Sequence, residues 1–170
     1  MKKYRMFIFL FALLAMPNIC FAQGGKEAVV GVWKLISIET LGPDGQRKPS
    51  DTWGKNPVGL IIYHPTGYVS VQFMRDPRPT FASSPKNATP EEIRSAFFGY
   101  YAYFGTYEVN EKEGFVIHYL QASVNPPEVG IDYKRTFKIS GDRLSLTTPP
   151  QISPDGLRTS VYELTWERVK

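Results

Sequence analysis

The sequence predicts an all-β protein, an eight-stranded antiparallel up-and-down barrel with one short helix between the third and fourth strands. Runs rich in Val, Ile, Tyr, Phe and Thr recur along the chain, and turn sequences such as "HPTG" (64–67), "EKEG" (111–114) and "SGD" (140–142) separate them. This is the pattern of successive antiparallel strands. Because the strands are short and joined mainly by tight turns, a closed barrel is favoured, with a β-sandwich as the alternative.

The individual elements follow from local signals. For the helix, Thr89 suits the cap position, Pro90 the first helical position, and Glu92 completes a capping box, with an end near Gly99. The predicted strands cover roughly residues 31–40, 57–64, 67–74, 103–110, 115–122, 131–139, 143–148 and 158–168.

Residues 1–22 are predicted to be a secretory signal peptide, and residues 23–170 a single barrel domain. The first segment has a basic start, an apolar run from Met6 to Met16 and a small residue, Ala22, suited to cleavage. Pro17 interrupts the run before the ~20 apolar residues that a spanning helix needs. We therefore expect a periplasmic or secreted protein with no stable membrane insertion after cleavage, an uncleaved anchor being the alternative.

The composition of the predicted mature chain argues against several classes of function. Cys20 lies before the cut, so residues 23–170 contain no cysteine and no disulfide supports the fold. Seventeen basic against sixteen acidic residues give no electrostatic reason for nucleic-acid binding. His64 and His118 alone cannot form an imidazole or thiolate metal cluster, and no phosphate-binding or dinucleotide motif occurs. We expect no metal and no cofactor.

Alternation along the strands predicts which side chains point into the barrel. Lys134 and Lys138 mark the polar face of the sixth predicted strand, which puts Arg135 inside. The "EKEG" turn pairs Tyr107 with His118, so His118 should also be interior. The aromatic residues predicted to face inward are Trp33, Tyr63, Phe73, Tyr103, Tyr107, Tyr133, Phe137 and Tyr162.

A polar row is predicted across the inner wall. Pairing Ala122 with Ile131 would set His118 level with Arg135 on the neighbouring strand. An interior charge without a partner costs several kcal/mol, so Arg135 needs an acceptor. Glu39 is one candidate, and the others are water and an acidic or carbonyl-bearing ligand. Burial and the positive charge of Arg135 should both keep His118 neutral near pH 7.

The chain resembles the bacterial lipocalin-like domain family. The matching pieces occur in order over most of residues 31–168: "GVWKLIS", "GLIIYHPTGYVSVQFMRDPRPTF", "YYAYFGTYEV", "GDRLSLTTPP" and "LTWERV". The resemblance implies a lipocalin-type barrel with one closed end, where Trp33 packs under Arg168 through a cation–π contact. Related lipocalins hold small apolar molecules, and lipocalin-like proteins of other branches resemble cyclases or isomerases.

Three functions are compatible with these features. The first is an exported protein that binds a small, mainly apolar or amphipathic molecule with a polar or acidic group inside the barrel. The second is a cofactor-independent isomerase, cyclase or hydratase in which His118 and a tyrosine move protons and Arg135 stabilises an oxyanion. The third is a structural envelope or interaction module with a filled barrel. The predicted ligand-binding residues are Tyr63, Phe73, Tyr103, Tyr107, His118, Tyr133 and Arg135.

Overall fold

The computed structural model describes residues 25–42, 44–152 and 159–170, so the predicted signal peptide lies outside the described residues. Ten strands in these ranges form antiparallel pairs. They are β1 (Gly31–Leu41), β2 (Arg47–Pro49), β3 (Val58–Tyr63), β4 (Tyr68–Met74), β5 (Tyr100–Asn110), β6 (Phe115–Ser123), β7 (Asp132–Ser140), β8 (Arg143–Thr147), β9 (Gln151–Ile152) and β10 (Thr159–Arg168).

Eight of these strands make a closed barrel, to which β2 and β9 add short extensions. The order is β2-β1-β3-β4-β5-β6-β7-β8-β10-β9, and an additional pairing between β1 and β10 closes the sheet. Closure removes the unpaired edges that an open sheet of this length would expose. The predicted class, an all-β closed antiparallel barrel of eight strands, is confirmed.

The helices are α1 (Lys26–Val29) and α2 (Pro90–Phe98), with 3-10 turns at Pro85–Asn87 and Pro126–Glu128. The capping box of α2 forms as predicted, because Glu92 N donates to Thr89 Oγ1 at 3.2 Å and Thr89 N donates to Glu92 Oε2 at 2.8 Å. No helix in the described ranges is long and apolar enough to cross a membrane.

The predicted position of the helix between the third and fourth strands is wrong, since α2 follows β4. The difference arises from β2, whose three exposed residues "RKP" show no apolar alternation and were not predicted as a strand. β2 forms because its backbone pairs with the end of β1, where Thr40 faces Lys48. Tertiary pairing therefore creates a strand that local sequence does not encode.

The alternation predicted along the central strands is confirmed. On β3 and β4 the side chains of Ile61, Tyr63, Val69, Val71 and Phe73 are buried. Between β5 and β6, Tyr107 pairs with His118 as the "EKEG" turn predicts, and between β7 and β8 Phe137 pairs with Leu146. One continuous aromatic and aliphatic core results.

The predicted register between β6 and β7 is wrong by two residues. His118 faces Tyr133, and Arg135 faces Val116, so His118 and Arg135 are not level. The long connection folds into the 3-10 turn at Pro126–Glu128 and returns through Gly130, whose N–H donates to Leu120 O. Because a shift of two keeps the alternation, His118 and Arg135 still share the inner face.

Glu39, one predicted candidate for the acceptor of Arg135, does not contact that residue. A β-bulge between Leu35 and Ser37 shifts the alternation of β1, so that Ile38 is buried inside. Glu39 then belongs to the outer face, where its carboxylate lies 3.8 Å from Arg47. Arg47 also forms a bidentate contact with Glu163 of β10, and this cluster fixes β2 against the barrel wall.

The end of the barrel beside α1, called the closed end below, has the contact implied by the family resemblance; here Lys26 N donates to Glu111 Oε1 at 2.9 Å. Trp33 is fully buried, its indole N–H donates to Val29 O at 2.8 Å, and Arg168 Cζ lies 3.9 Å from the centre of its ring. The Arg168 guanidinium also donates to Val30 O at 2.7 Å and to Ala28 O at 2.6 Å. A side chain at Gly31 would meet this guanidinium at 2.8 Å, and its φ of +134° also favours glycine.

Candidate functional site

The barrel interior contains a cavity of about 230 Å³. A cavity of ~150 Å³ is large enough to hold benzene, so this one has room for a substituted ring. The barrel is therefore not filled by its own side chains. The third hypothesis, a structural envelope or interaction module, requires a filled barrel. The wall of the cavity is largely aromatic, with contributions from Trp53, Phe73, Tyr101, Tyr103, Tyr133 and Trp166.

His118 lies in the wall of this cavity between two tyrosines. It is 1% exposed, with Nε2 at 2.8 Å from the Tyr63 hydroxyl and Nδ1 at 2.7 Å from the Tyr103 hydroxyl. The prediction that His118 points into the barrel is confirmed. Both ring nitrogens are occupied within the protein, so His118 has no free hydrogen-bonding group for a bound molecule.

The electrostatic environment keeps His118 uncharged. Burial lowers its pKa to about 3, and the positive charge of Arg135 acts in the same direction. The tyrosines around it are also held neutral, because burial raises the pKa of Tyr63 and of Tyr103 well above the ordinary value. Tyr63, His118 and Tyr103 therefore form a neutral hydrogen-bonded chain.

Arg135 is the cationic residue of the cavity wall. Its Cζ lies 4.6 Å from the centre of the Tyr133 ring, and Nη1 donates to Lys134 O at 3.1 Å. Within the described ranges no carboxylate lies within 4.0 Å of this guanidinium. Most of its donors are therefore available to water or to a bound molecule.

Glu128 is the acidic residue of the wall, and its carboxylate is occupied. It accepts hydrogen bonds from Tyr101 at 2.6 Å, Ser123 at 2.8 Å and Asn125 at 3.0 Å. Burial alone would raise its pKa, but these hydrogen bonds outweigh burial and the pKa is lowered. Glu128 is therefore an ionised group that anchors the loop after β6 to β5.

The structure gathers most, but not all, of the predicted ligand-binding residues around the cavity. Phe73, Tyr103, His118, Tyr133 and Arg135 line it.

The other two predicted residues do not line this cavity. Tyr63 reaches it only through His118. Tyr107, although it pairs with His118 along the backbone, directs its hydroxyl away and donates to His64 O at 3.0 Å.

Several lining residues were not predicted from the sequence, among them Tyr101, Trp53 and Glu128. Tyr101 has the same parity as Tyr103 but precedes the predicted strand, which begins at residue 103, whereas β5 begins at Tyr100. Trp53 and Glu128 lie in connections between strands, where no periodicity assigns a direction to a side chain. Trp53 packs on Phe73 with ring centres 4.7 Å apart, a contact that depends on how its loop folds over the barrel.

The fold is a closed antiparallel barrel with an aromatic interior cavity, an architecture that in some other proteins holds a small ligand. The family model of the lipocalin-like domain matches residues 30–169, so the chain belongs to this family. No curated protein matches the chain. At this level the lipocalin-like fold suggests the binding of a ligand.

Proposed function

We propose that this protein binds a small, mainly apolar molecule carrying one polar or acidic group in the interior of its barrel. The observation that supports this most strongly is the combination of an aromatic cavity with Arg135, a cation that has no carboxylate partner in the described ranges. Apolar walls supply affinity, and a few polar groups orient the ligand.

The volume limits the size of the molecule. At about 230 Å³ the cavity is half as large again as one that holds benzene, so a single substituted ring or a short branched chain fits. A polar depression lined by Ser50, Asp51 and Ser160 shares Gln151 and Tyr162 with the cavity. A longer polar substituent would extend into this depression.

The protonation states favour binding over acid–base catalysis. A general acid or base works best when its pKa lies near the working pH. The pKa of His118 is lowered to about 3, and that of Tyr133 is raised to about 12, in both cases chiefly by burial. These groups are suited to hold hydrogen bonds rather than to move protons at neutral pH, which weighs against an isomerase or hydratase.

Export to the periplasm or the medium is part of the proposal. It rests on the basic start, the apolar run and the small residue at Ala22. Mass spectrometry of the protein recovered from separate cell fractions tests it directly. We expect a mature form that begins near Gln23 outside the cytoplasm, and a full-length chain confined to the cytoplasm would contradict it.

Retention of a natural ligand tests the binding proposal. Folded protein is incubated with a metabolite extract, washed and denatured, and the released compounds are identified by mass spectrometry. Val71→Phe is the control, because Val71 is buried in the cavity wall and a larger side chain there reduces the space. We expect compounds that the wild type retains and the filled variant does not. Equal retention by both proteins would contradict the proposal.

A further inference from the structure

The hydrogen-bond chain through His118 has a direction that the surrounding residues determine. A neutral imidazole offers one donor and one acceptor, so one of the two tyrosines donates to the ring and the other accepts from it. Tyr63 is 1% exposed, and among the described residues its hydroxyl has no partner other than His118 Nε2. If Tyr63 accepted this bond, its own proton would be buried without an acceptor, which is unfavourable.

Tyr63 therefore donates to Nε2, and the proton of the imidazole sits on Nδ1. The Nδ1–H group then donates to the Tyr103 hydroxyl oxygen at 2.7 Å. Since this oxygen already accepts, the O–H of Tyr103 is left to donate elsewhere. Tyr103 lines the cavity, so its free donor is available to a molecule bound there.

A further donor of the cavity wall has the same character. Arg135 contributes a guanidinium whose single described acceptor is Lys134 O. The carboxylate of Glu128, by contrast, is already occupied by three donors. The cavity thus presents an excess of unpaired donors.

From this excess we infer that the ligand is a cyclic, unsaturated carboxylate, whose ring packs among the aromatic side chains and whose oxygens accept from Tyr103 and Arg135. A buried anion requires both a counter-charge and hydrogen bonds, and this wall supplies both. A ring matches the cavity volume and the edge-to-face preference of the tyrosines. An amine would bring further donors and a second positive charge close to the Arg135 guanidinium.

This inference rests on the proposed function, and a matched series of probes separates the two. Isothermal titration calorimetry measures the binding of 3-phenylpropanoate, 3-phenylpropan-1-ol, 3-phenylpropylamine and propylbenzene, which share the ring and differ in the end group. We expect the carboxylate to bind at least about tenfold tighter than the hydrocarbon, and the amine most weakly. Arg135→Gln should abolish the preference, and Lys138→Gln, which removes the same charge from an exposed outer position on β7, should retain it.

The outcomes are distinct. If the hydrocarbon, the alcohol or the amine binds as tightly as the carboxylate, the ligand class is wrong and the apolar binding function stands. If no member of the series binds, the proposed function and the inference both fail. If Lys138→Gln also loses the preference for the carboxylate, the preference comes from the overall charge of the protein and the assigned site is wrong.

A second measurement tests the direction of the chain without any ligand. The protein has only two histidines, so ¹⁵N labelling of histidine gives a spectrum in which His64→Gln identifies the signals of His118. We expect the pattern of an imidazole protonated at Nδ1. A pattern of Nε2 protonation, or of a charged ring at neutral pH, would overturn the inference that Tyr103 donates into the cavity.

Discussion

Arg168 and Arg135 each lie over an aromatic ring of the barrel, and their hydrogen bonds differ. At the closed end, the guanidinium of Arg168 lies 3.9 Å from the Trp33 ring and also donates to the carbonyls of Ala28 and Val30. In the cavity wall, the guanidinium of Arg135 lies 4.6 Å from the Tyr133 ring and donates to one carbonyl of its own strand. Arg168 therefore stabilises the fold, whereas Arg135 keeps N–H donors available for a bound molecule.

Two tyrosines differ in a similar way. The Tyr107 hydroxyl donates to His64 O, whereas the Tyr103 hydroxyl contacts only a ring nitrogen of His118 among the described residues. Satisfied polar groups indicate a structural role, and unsatisfied ones at a cavity indicate a binding site.

The largest effect on stability is expected at the closed end. Trp33→Ala should lower the free energy of unfolding by about 3–5 kcal/mol, because the ring is fully buried and its loss leaves a void. Urea denaturation measures this change. Trp53→Ala, which truncates a half-buried tryptophan of the cavity wall, should lower it by less than half as much. Equal losses would contradict the division into a structural end and a binding end.

The arginine pair gives the next largest difference. Arg168→Gln should destabilise the protein by about 2–4 kcal/mol, since it removes a cation–π contact and two charged hydrogen bonds to backbone carbonyls. Arg135→Gln should change stability by less than about 1 kcal/mol, because the side chain is half-exposed and has one backbone acceptor. Thermal and urea denaturation measure both losses of stability. A larger loss for Arg135→Gln than for Arg168→Gln would contradict the comparison.

Acidification should destabilise the protein through His118. Its pKa is lowered from 6.5 to about 3 in the folded state, so between these values only the unfolded chain holds the proton. The stabilisation is complete above the unfolded value and falls by about 1.4 kcal/mol for each pH unit below it.

The matched variants are His118→Gln and His64→Gln. The stability advantage of the wild type over His118→Gln should shrink by about 2–3 kcal/mol over the two pH units below the unfolded pKa. His64→Gln, at an exposed position, should keep the pH dependence of the wild type. An advantage of the wild type over His118→Gln that does not change with pH would mean that the buried imidazole is not held neutral.

The smallest expected effect comes from Tyr107→Phe. Removing the hydroxyl deletes one hydrogen bond to His64 O, so stability should fall by about 0.5–1.5 kcal/mol. The affinity for 3-phenylpropanoate should stay unchanged, because Tyr107 does not line the cavity. A loss of affinity comparable to that of Tyr103→Phe would extend the binding site toward the closed end.

The sequence predicts the barrel and the inner face well because alternation is a local property. The parity of Tyr107 and Arg135 is readable from the charged residues beside them, and one tight turn carries it to His118. Features that depend on the tertiary structure are harder to predict from the sequence. The bulge after Leu35 turns the Glu39 side chain to the outer face, and nothing in the local sequence indicates this bulge.

Connections between strands account for most of the site that the sequence does not predict. The loop after β6 shifts the register by two residues and brings Glu128 to Tyr101. Trp53 reaches the cavity from the connection between β2 and β3. Side chains in such segments have no fixed period, so their directions depend on the whole fold.

The indole N–H signals provide the most direct test of the central claim that the ligand binds in the cavity, which Trp53 and Trp166 line, and not at the closed end. The chain has three tryptophans, so a ¹H–¹⁵N correlation spectrum contains three indole signals, assignable by single Trp→Phe variants. Titration with 3-phenylpropanoate should shift the signals of Trp166 and Trp53 and leave that of Trp33 unchanged, since Trp33 already donates to Val29 O. A spectrum in which no signal moves, or in which Trp33 moves as far as Trp166, would contradict the account.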